Sequence, residues 1–401
     1  MIALFILPVY VLANFYVCRW FMKWLDAICH GHLNKVVRVL IHIVYWTLSL
    51  AMYIAALIPE GTVRRIFNVA GTYWYGVVIY ILLIFVIFDA VRLIMRKAQK
   101  TPKGEMLISR NKFIALGAFC CIFILLIAIL GGINARTLHN TEYEIDIDKD
   151  GGKLDNLNIV MVADQHMGYS VRSSMMRDMV ERINSYNPDI VIMAGDIFDN
   201  NYDALDDPEE LLKIYKSINS KYGVYAVYGN HDVSEMIIGG FTFPHKEKLV
   251  ADERMDKFLE DAGIKNLRDE YVVIDDSFYL YGRPDYQKEG RGIEGRKGPS
   301  EVTAGMNQDM PIILIDHQPR ELQELANAGV DLDLSGHTHD GQIFPLNLTA
   351  KLMWENPCGL IKKDNMYSLV TSGVGFYGPG IRVGTRAEVV NLKVNFTGSK
   401  K

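Results

Sequence analysis

Two runs near the start of the chain admit very few folds. They are YWYGVVIYILLIFVIF, from residue 73, and FIALGAFCCIFILLIAILGGI, from residue 113. Neither holds a charged residue, and a backbone surrounded by apolar groups must satisfy its own hydrogen bonds, so each run is a helix. Two further apolar stretches, roughly 1–18 and 37–58, resemble them. Each of the four is close to the ~20 residues that cross ~30 Å of hydrocarbon. The first is the weakest: Pro8 and Asn14 interrupt it, and Arg19 and Lys23 come soon after. A signal peptide fits poorly, because no basic segment precedes the run and three more runs come after it. Buried core helices can be this apolar, but four in succession with basic connectors predict a four-helix transmembrane region over residues 1–135.

Charge divides the chain at the same place. Residues 1–140 hold 14 Lys/Arg against 4 Asp/Glu, a balance of +10; the whole chain carries −5, which leaves −15 for residues 141–401. An acidic globular part excludes nucleic acid as the main partner, since a phosphate backbone requires a basic face. The connectors at 19–38 and 96–112 are the basic ones, the latter with six Lys/Arg against one Glu. The positive-inside rule then places both in the cytoplasm, and everything after about residue 134 outside it. Of five cysteines only Cys358 lies in the globular part, so neither a disulfide framework nor a cysteine zinc site is expected there.

Residues 136–157 read as a polar linker and a first strand, and residues 158–401 as one further domain. In that domain apolar runs alternate with helical patterns. LNIVMVADQH, DIVIMAGD, VYAVYGNHD, MPIILIDHQP and VDLDLSGHTH read as buried strands. Helices are expected at SSMMRDMVERINSYNP, capped by Ser173 or Ser174, and at DDPEELLKIYKSINSKYG, with Asp207 as N-cap and Pro208 first. ADERMDKFLEDAG, closed by Gly263, and RELQELANAG are two more. YVVIDDSFYLYGRPD reads as two strands about a turn, and the tail to RAEVVNLKV as strands. The Gly-rich stretch 286–309 reads as a mobile surface loop. EMIIGGFTFPHKEKLV, 235–250, permits a lid through its apolar start and Gly239-Gly240, with membrane dipping and ordinary packing as the alternatives. The alternation implies an α/β domain with covered sheets, whose ligands gather beyond the carboxyl ends of the strands.

The residues at those carboxyl ends carry the function. The first strand ends in Asp164-Gln165-His166, and the second in Gly195-Asp196-Ile197-Phe198-Asp199. The third ends in Gly229-Asn230-His231-Asp232, a later one in Asp316-His317-Gln318-Pro319, and the next in Gly336-His337-Thr338-His339. Singly, each is an ordinary turn; His-x-His also occurs at His30 and His32, in a loop read as cytoplasmic. Five strands delivering carboxylate, amide and imidazole at one edge describe a site. Those donors suit divalent ions of intermediate hardness, such as Mn, Fe or Zn, rather than Ca. Seven donors, Asp164, His166, Asp196, Asn230, His317, His337 and His339, exceed what one ion needs and divide well over two. Two ions about 3.5–4 Å apart make the clamp that stabilises the attacking and leaving oxygens of a phosphoryl group.

The order Asp-x-His, Gly-Asp-x-x-Asp, Gly-Asn-His-Asp, His-x-Pro, Gly-His-x-His, over about 158–342, resembles the calcineurin-like metallophosphoesterase family. GHTHDGQI and RVGTRAEVV look like its bacterial membrane-associated branch. The resemblance does not cover the four apolar stretches. It implies two packed mixed β-sheets flanked by helices. It also implies that Asp164, His166, Asp196 and His339 hold one metal ion, and Asp196, Asn230, His317 and His337 a second, with Asp196 bridging. By the same resemblance His231 is catalytic without binding metal, stabilising the transition state or protonating the leaving oxygen. Asp199 and Asp232 then orient histidines or backbone around the ligands. Gln165, at the variable position of the first block, either reaches substrate or faces solvent. Arg283 and Arg382 are either phosphate contacts or surface residues.

The expected protein is therefore a multi-pass membrane phosphoesterase with an extracytoplasmic catalytic domain. Its cofactors are two divalent ions, Mn²⁺ first. Its partners are the lipid bilayer and a phosphoester or pyrophosphate ester, which location alone suggests is lipid-linked, cleaved by a metal-bridging hydroxide. The alternatives are a broad phosphodiesterase acting on soluble exported substrates and a non-catalytic metal-binding membrane sensor. A transporter fits less well, since the apolar stretches carry few charges beyond Asp89.

Overall fold

A computed structural model describes residues 2–99, 108–235, 237–238, 241–242, 252–288 and 295–398. It divides into two compact units. The first comprises Met1–Gly132 with Ile237–Pro244 and Gly378–Ile381, and the second the remainder from Ile133.

The first unit is helical: α1 (Ile2–Ile28), α2 (Lys35–Ser49), α3 (Ala51–Ala55), α4 (Thr62–Gln99) and α5 (Arg110–Asn134). Among the described residues two helices, within α4 and α5, are long and apolar enough to cross a membrane, which corrects the expectation of four. The stretch 37–58 fails on length, because the helix breaks at Leu50 into pieces of 15 and 5 residues. The first stretch lies in a 27-residue helix that contains Pro8. Asn14 is satisfied inside the unit: Tyr45 Oη and Trp74 Nε1 donate to its Oδ1 at 3.2 and 3.0 Å. Its own amide donates to Tyr10 O at 3.0 Å. Such bonds hold apolar helices together where water cannot.

The second unit has two six-stranded mixed sheets. Strands β1 (Leu138–Ile147), β2 (Asn156–Val162), β3 (Ile190–Ala194) and β4 (Val224–Val227) come first in the chain. The short strands β5 (Ile237–Ile238) and β6 (Phe241–Thr242) pair with each other in the first unit. Next come β7 (Ile264–Asn266), β8 (Glu270–Ile274), β9 (Phe278–Gly282), β10 (Ile312–Ile315), β11 (Leu332–Ser335), β12 (Gly359–Lys363), β13 (Met366–Val370) and β14 (Ala387–Phe396). One sheet runs β1-β14-β2-β3-β4-β7 and the other β12-β13-β11-β10-β9-β8. The candidate lid at 235–250 lies almost wholly outside the described residues.

Alternation of side chains along each strand builds the layers. Ile159, Met161 and Ala163 face Ile313, Ile315, Leu332 and Leu334 between the sheets. Val160 and Val162 face away, onto α6 (Ser173–Ser185), α7 (Pro208–Lys216) and α8 (Glu253–Asp261) through Met176, Met179, Leu211 and Phe258. The outer face of the second sheet is covered by α9 (Pro299–Val302) and α10 (Leu322–Asn327). Asp207 caps α7 as its sequence implies, accepting from Glu210 N at 3.0 Å. The N-cap of α6 is Arg172 rather than a serine and makes no side-chain bond; Ser173 is the first helical residue, with its N–H directed to Asp206. Of the stretch 286–309, residues 289–294 lie outside the described residues; the described part contains α9, and Arg296 is anchored to Asp316 at 2.5 Å.

Candidate metal centre

The parallel strands β2, β3 and β4 of one sheet and β10 and β11 of the other all end at one edge, and the loops leaving them are stitched together. Asp164 N donates to Gly195 O at 2.9 Å, His166 N to Asp196 O at 3.0 Å, and Gly336 N to His317 O at 2.9 Å. Asp164, His166, Asp196, His337 and His339 all have positive φ, between 47° and 72°. Left-handed backbone is costly for non-glycine residues and persists where a site requires it. Glycines make room beside them. A Cβ on Gly229 would lie 2.2 Å from Asp196 Oδ1, and one on Gly336 would lie 2.6 Å from Asp164 Oδ2.

All seven predicted donors converge. Asp164, His166 and His339 form one group, and Asp196, His317 and His337 another, with donor atoms within 4.8 Å of one another in each. Asn230 joins the second group, its Oδ1 3.1 Å from His317 Nε2. Asp196 stands between the groups: its Oδ2 is 3.1 Å from His317 Nε2 and 3.7 Å from His166 Nε2.

The donor set fits cations. His166 Nε2 lies 3.1 Å from His339 Nε2, and His337 Nδ1 lies 3.2 Å from His317 Nε2. Two imidazole lone pairs cannot face each other at that range without a proton or a cation between them. His317 Nδ1 donates to Ala194 O at 2.9 Å, which leaves its Nε2 lone pair for the site. Burial pushes His337 down to about 3 and holds His339 well below the usual imidazole range, so both stay neutral, as ligands must. Burial alone would raise Asp196, but His317 and its neighbours outweigh it and hold the carboxyl well below its ordinary value. Asp164 is pushed up to about 6, chiefly by burial. Divalent charge would counter that burial.

His231 lies at the rim of the cluster. Its backbone N–H donates to Asp196 Oδ1 at 2.7 Å, and its Nδ1 is bonded to Asn200 Oδ1. Asp199 Oδ1 sits between two imidazoles, 3.5 Å from His231 Nδ1 and 3.7 Å from His166 Nδ1. Asp232 instead holds backbone, accepting from Phe198 N at 2.8 Å and Gly229 N at 2.7 Å.

For three other residues the structure removes the solvent-facing one of the two readings the sequence left open. Arg382 is fully buried and donates to Ser372 O and Gly375 O at 2.7 Å each, with Nη2 3.3 Å from His339 Nδ1. Arg283 is fully buried and paired with Glu321 at 2.9 Å. Neither is a surface residue, and the bonds of both go to the protein. Gln165 is buried, not solvent-facing.

The sequence reading missed the aromatic rim. The Tyr377 ring lies 4.6 Å from that of His231, and the Trp354 ring 5.3 Å from that of His337. The Arg320 guanidinium is stacked 4.6 Å from Trp354 and 4.8 Å from Tyr286. No strand end marks these residues, so the pattern that found the ligands could not find them.

Comparison with known proteins gives a family match over the segment that carries these residues. The calcineurin-like phosphoesterase family model matches residues 157–341. A Danio rerio "Transmembrane protein with metallophosphoesterase domain" is 28% identical over 327 residues, 79% of this chain and 71% of that protein. An uncharacterized metallophosphoesterase of Campylobacter jejuni is 28% identical over 321 residues, 78% of this chain and 77% of that protein. Another, of Aquifex aeolicus, is 30% identical over 246 residues, 61% of this chain and 87% of that protein.

Proposed function

The chain belongs to the calcineurin-like metallophosphoesterase family, and from that premise we propose that it is a membrane-anchored phosphoesterase with two divalent metal ions, Mn²⁺ first. The observation that carries the reading is Asp196, whose Oδ2 lies within 3.7 Å of imidazole nitrogens in both donor groups. One carboxylate oxygen so placed suits a bridge between two ions. Asp164, His166 and His339 would complete the first set, and Asn230, His317 and His337 the second. The ions, when bound, supply Lewis-acid charge for the phosphoryl oxygens and lower the pKa of the attacking water.

The chain's own residues do the rest. Asp196 accepts the His231 N–H and so ties the ligand cluster to the loop that carries His231. Asn200 Oδ1 accepts from His231 Nδ1 and so fixes the ring, and only as the imidazolium would His231 hold a proton on Nε2 to give to a leaving oxygen. Asp199, facing both His231 and His166, holds the two rings in register. Arg382 fixes the Ser372–Gly375 turn and the His339 ring from beneath.

Helices α4 and α5 supply the anchor, and the relatives named transmembrane proteins support it. The basic connectors favour a multi-pass chain with residues after about 134 outside the cytoplasm. A phosphoester or pyrophosphate ester carried by a lipid is the substrate that suits such an enzyme. The test is phosphate release from lipid-linked and soluble esters by the purified full chain with Mn²⁺, beside Asp196→Ala. Release from a lipid ester that disappears in the variant supports the reading; no release from any ester by metal-loaded protein overturns it.

A further inference from the structure

Beyond the metal site, the second unit leaves few large hydrophobic side chains exposed. Among its described residues, Phe344, Leu346, Leu348, Leu352 and Met353 gather such side chains into one short segment, with Leu352 87% and Met353 76% exposed. Four of them belong to α11 (Leu346–Met353), an eight-residue helix whose one buried residue is Ala350. So short a helix gains little from propensity, and this one contributes little to the core. A clustered apolar face of that kind marks a contact with something else.

Both ends of α11 are fastened to the metal site. At its start a Cβ on Gly341 would lie 2.5 Å from Asn347 Cα, so the helix sits directly on the turn that carries His339. At its end Trp354 N donates to Ala350 O at 3.0 Å, and the Trp354 ring packs 5.3 Å from that of His337. The exposed face therefore belongs to a helix held beside the site at both ends.

Three observations point to a bilayer surface as the occupant. The sequence FPLNLTAKLMW joins Leu, Met and Phe to a terminal Trp, with one exposed Lys351 and no acidic residue, the composition of helices that lie in a lipid interface. The five side chains expose less than the ~800 Å² per partner that a stable dimer buries. The same chain carries two helices of spanning length, and only residues 135–137 separate α5 from β1.

We propose that α11, with Phe344 and Trp354, rests on the lipid surface and presents the rim of the metal site to phosphoesters held in that surface. The docking stands on the exposed face alone; its consequence for substrate rests on the phosphoesterase reading.

The test uses the full chain in vesicles of phosphatidylethanolamine and phosphatidylglycerol. Benzoylphenylalanine replaces Leu352 or, as a control, the exposed Tyr271, and adducts are weighed after illumination. About tenfold more lipid adduct at position 352 than at 271 is expected. An adduct joining two copies of the chain, or no excess of lipid adduct, overturns the proposal. In a second arm, Leu348→Ser with Leu352→Ser is expected to slow hydrolysis of a bilayer-embedded phosphoester about tenfold while leaving soluble bis-p-nitrophenyl phosphate unaffected. An equal loss on both esters, or none on either, overturns the link to substrate. If the unsubstituted chain hydrolyses no ester, the phosphoesterase reading fails, and the cross-link still decides whether α11 docks.

Discussion

The strand-end cluster and the helices α4 and α5 invert the ordinary placement of polarity in opposite directions. The cluster buries Asp164, Asp196, His166, His317 and His339, with ring nitrogens about as close as hydrogen-bonded atoms. The helices expose Val86, Ile94, Phe119, Ile122 and Leu130. Each arrangement is unfavourable in water: one strips solvent from groups that carry charge, and the other wets large apolar surfaces. Each is relieved by something the chain does not contain, cations in the first case and hydrocarbon in the second. A buried polar cluster and an exposed apolar face are thus two forms of the same signal, a missing partner of opposite character.

The sharpest way to break the comparison is at Asp196, where one oxygen serves both donor groups. Asp196→Ala is expected to lower kcat/KM at least about 10³-fold, about 4 kcal/mol of transition-state stabilisation. Metal analysis of the purified variant should show less than the full complement. Full activity with full metal would show that the cluster does not depend on that bridge.

The two regions were not equally legible. The convergence of the seven candidate donors could be read because each comes just after an apolar strand, and strand ends converge in an α/β domain whatever the loops do. The Asp207-Pro208 start of α7 was equally plain. Hydropathy overcounted the spans because it does not register where a helix stops: nothing apolar changes at Leu50, yet the helix breaks there. Long-range pairing was also invisible. Strand β14 inserts between β1 and β2, parallel to one and antiparallel to the other, which no local pattern specifies. The left-handed backbone at Asp164 and His166 arises from the site as a whole, and α11 was lost because its apolar residues cover no core.

On the helical side, the matching change places a charge where hydrocarbon is expected. Ile122 is near the middle of α5 and exposed. Ile122→Arg is expected to disfavour insertion of that segment by about 3 kcal/mol. Glycosylation mapping of the full chain reads this as a fall in the inserted fraction. Insertion equal to that of the parent chain would show that α5 does not face lipid there.

A smaller effect is expected at the rim, where neither inversion is complete. Arg320 is stacked between Trp354 and Tyr286, and its Nε donates to Gln318 Oε1 at 3.0 Å. A guanidinium held between two rings at the edge of the proposed site suits a phosphate oxygen or a second anionic group. Arg320→Ala is expected to raise KM about tenfold with kcat within about twofold, and Arg320→Lys to recover only part, since an ammonium lacks the planar fork. A loss confined to kcat would place Arg320 in the chemistry rather than in binding.

The smallest effect is a change of slope rather than a loss, and it concerns a buried carboxyl outside the ligand set. Asp333 accepts from Ser335 Oγ at 3.1 Å and Ser368 Oγ at 3.0 Å, and burial, then the charge of Asp316, pushes it from 3.8 up to about 7. The folded value lies above the unfolded one, so the fold favours the protonated acid. Its contribution is complete below 3.8, declines as pH rises through about 7, and is lost above that. Asp333→Asn keeps an acceptor for the serines and removes the titration. The parent protein should therefore lose more Tm than the variant between about pH 5 and about pH 8. Parallel Tm curves would mean that Asp333 is already ionised in the fold, and that burial is tolerated in this cluster without any partner from outside.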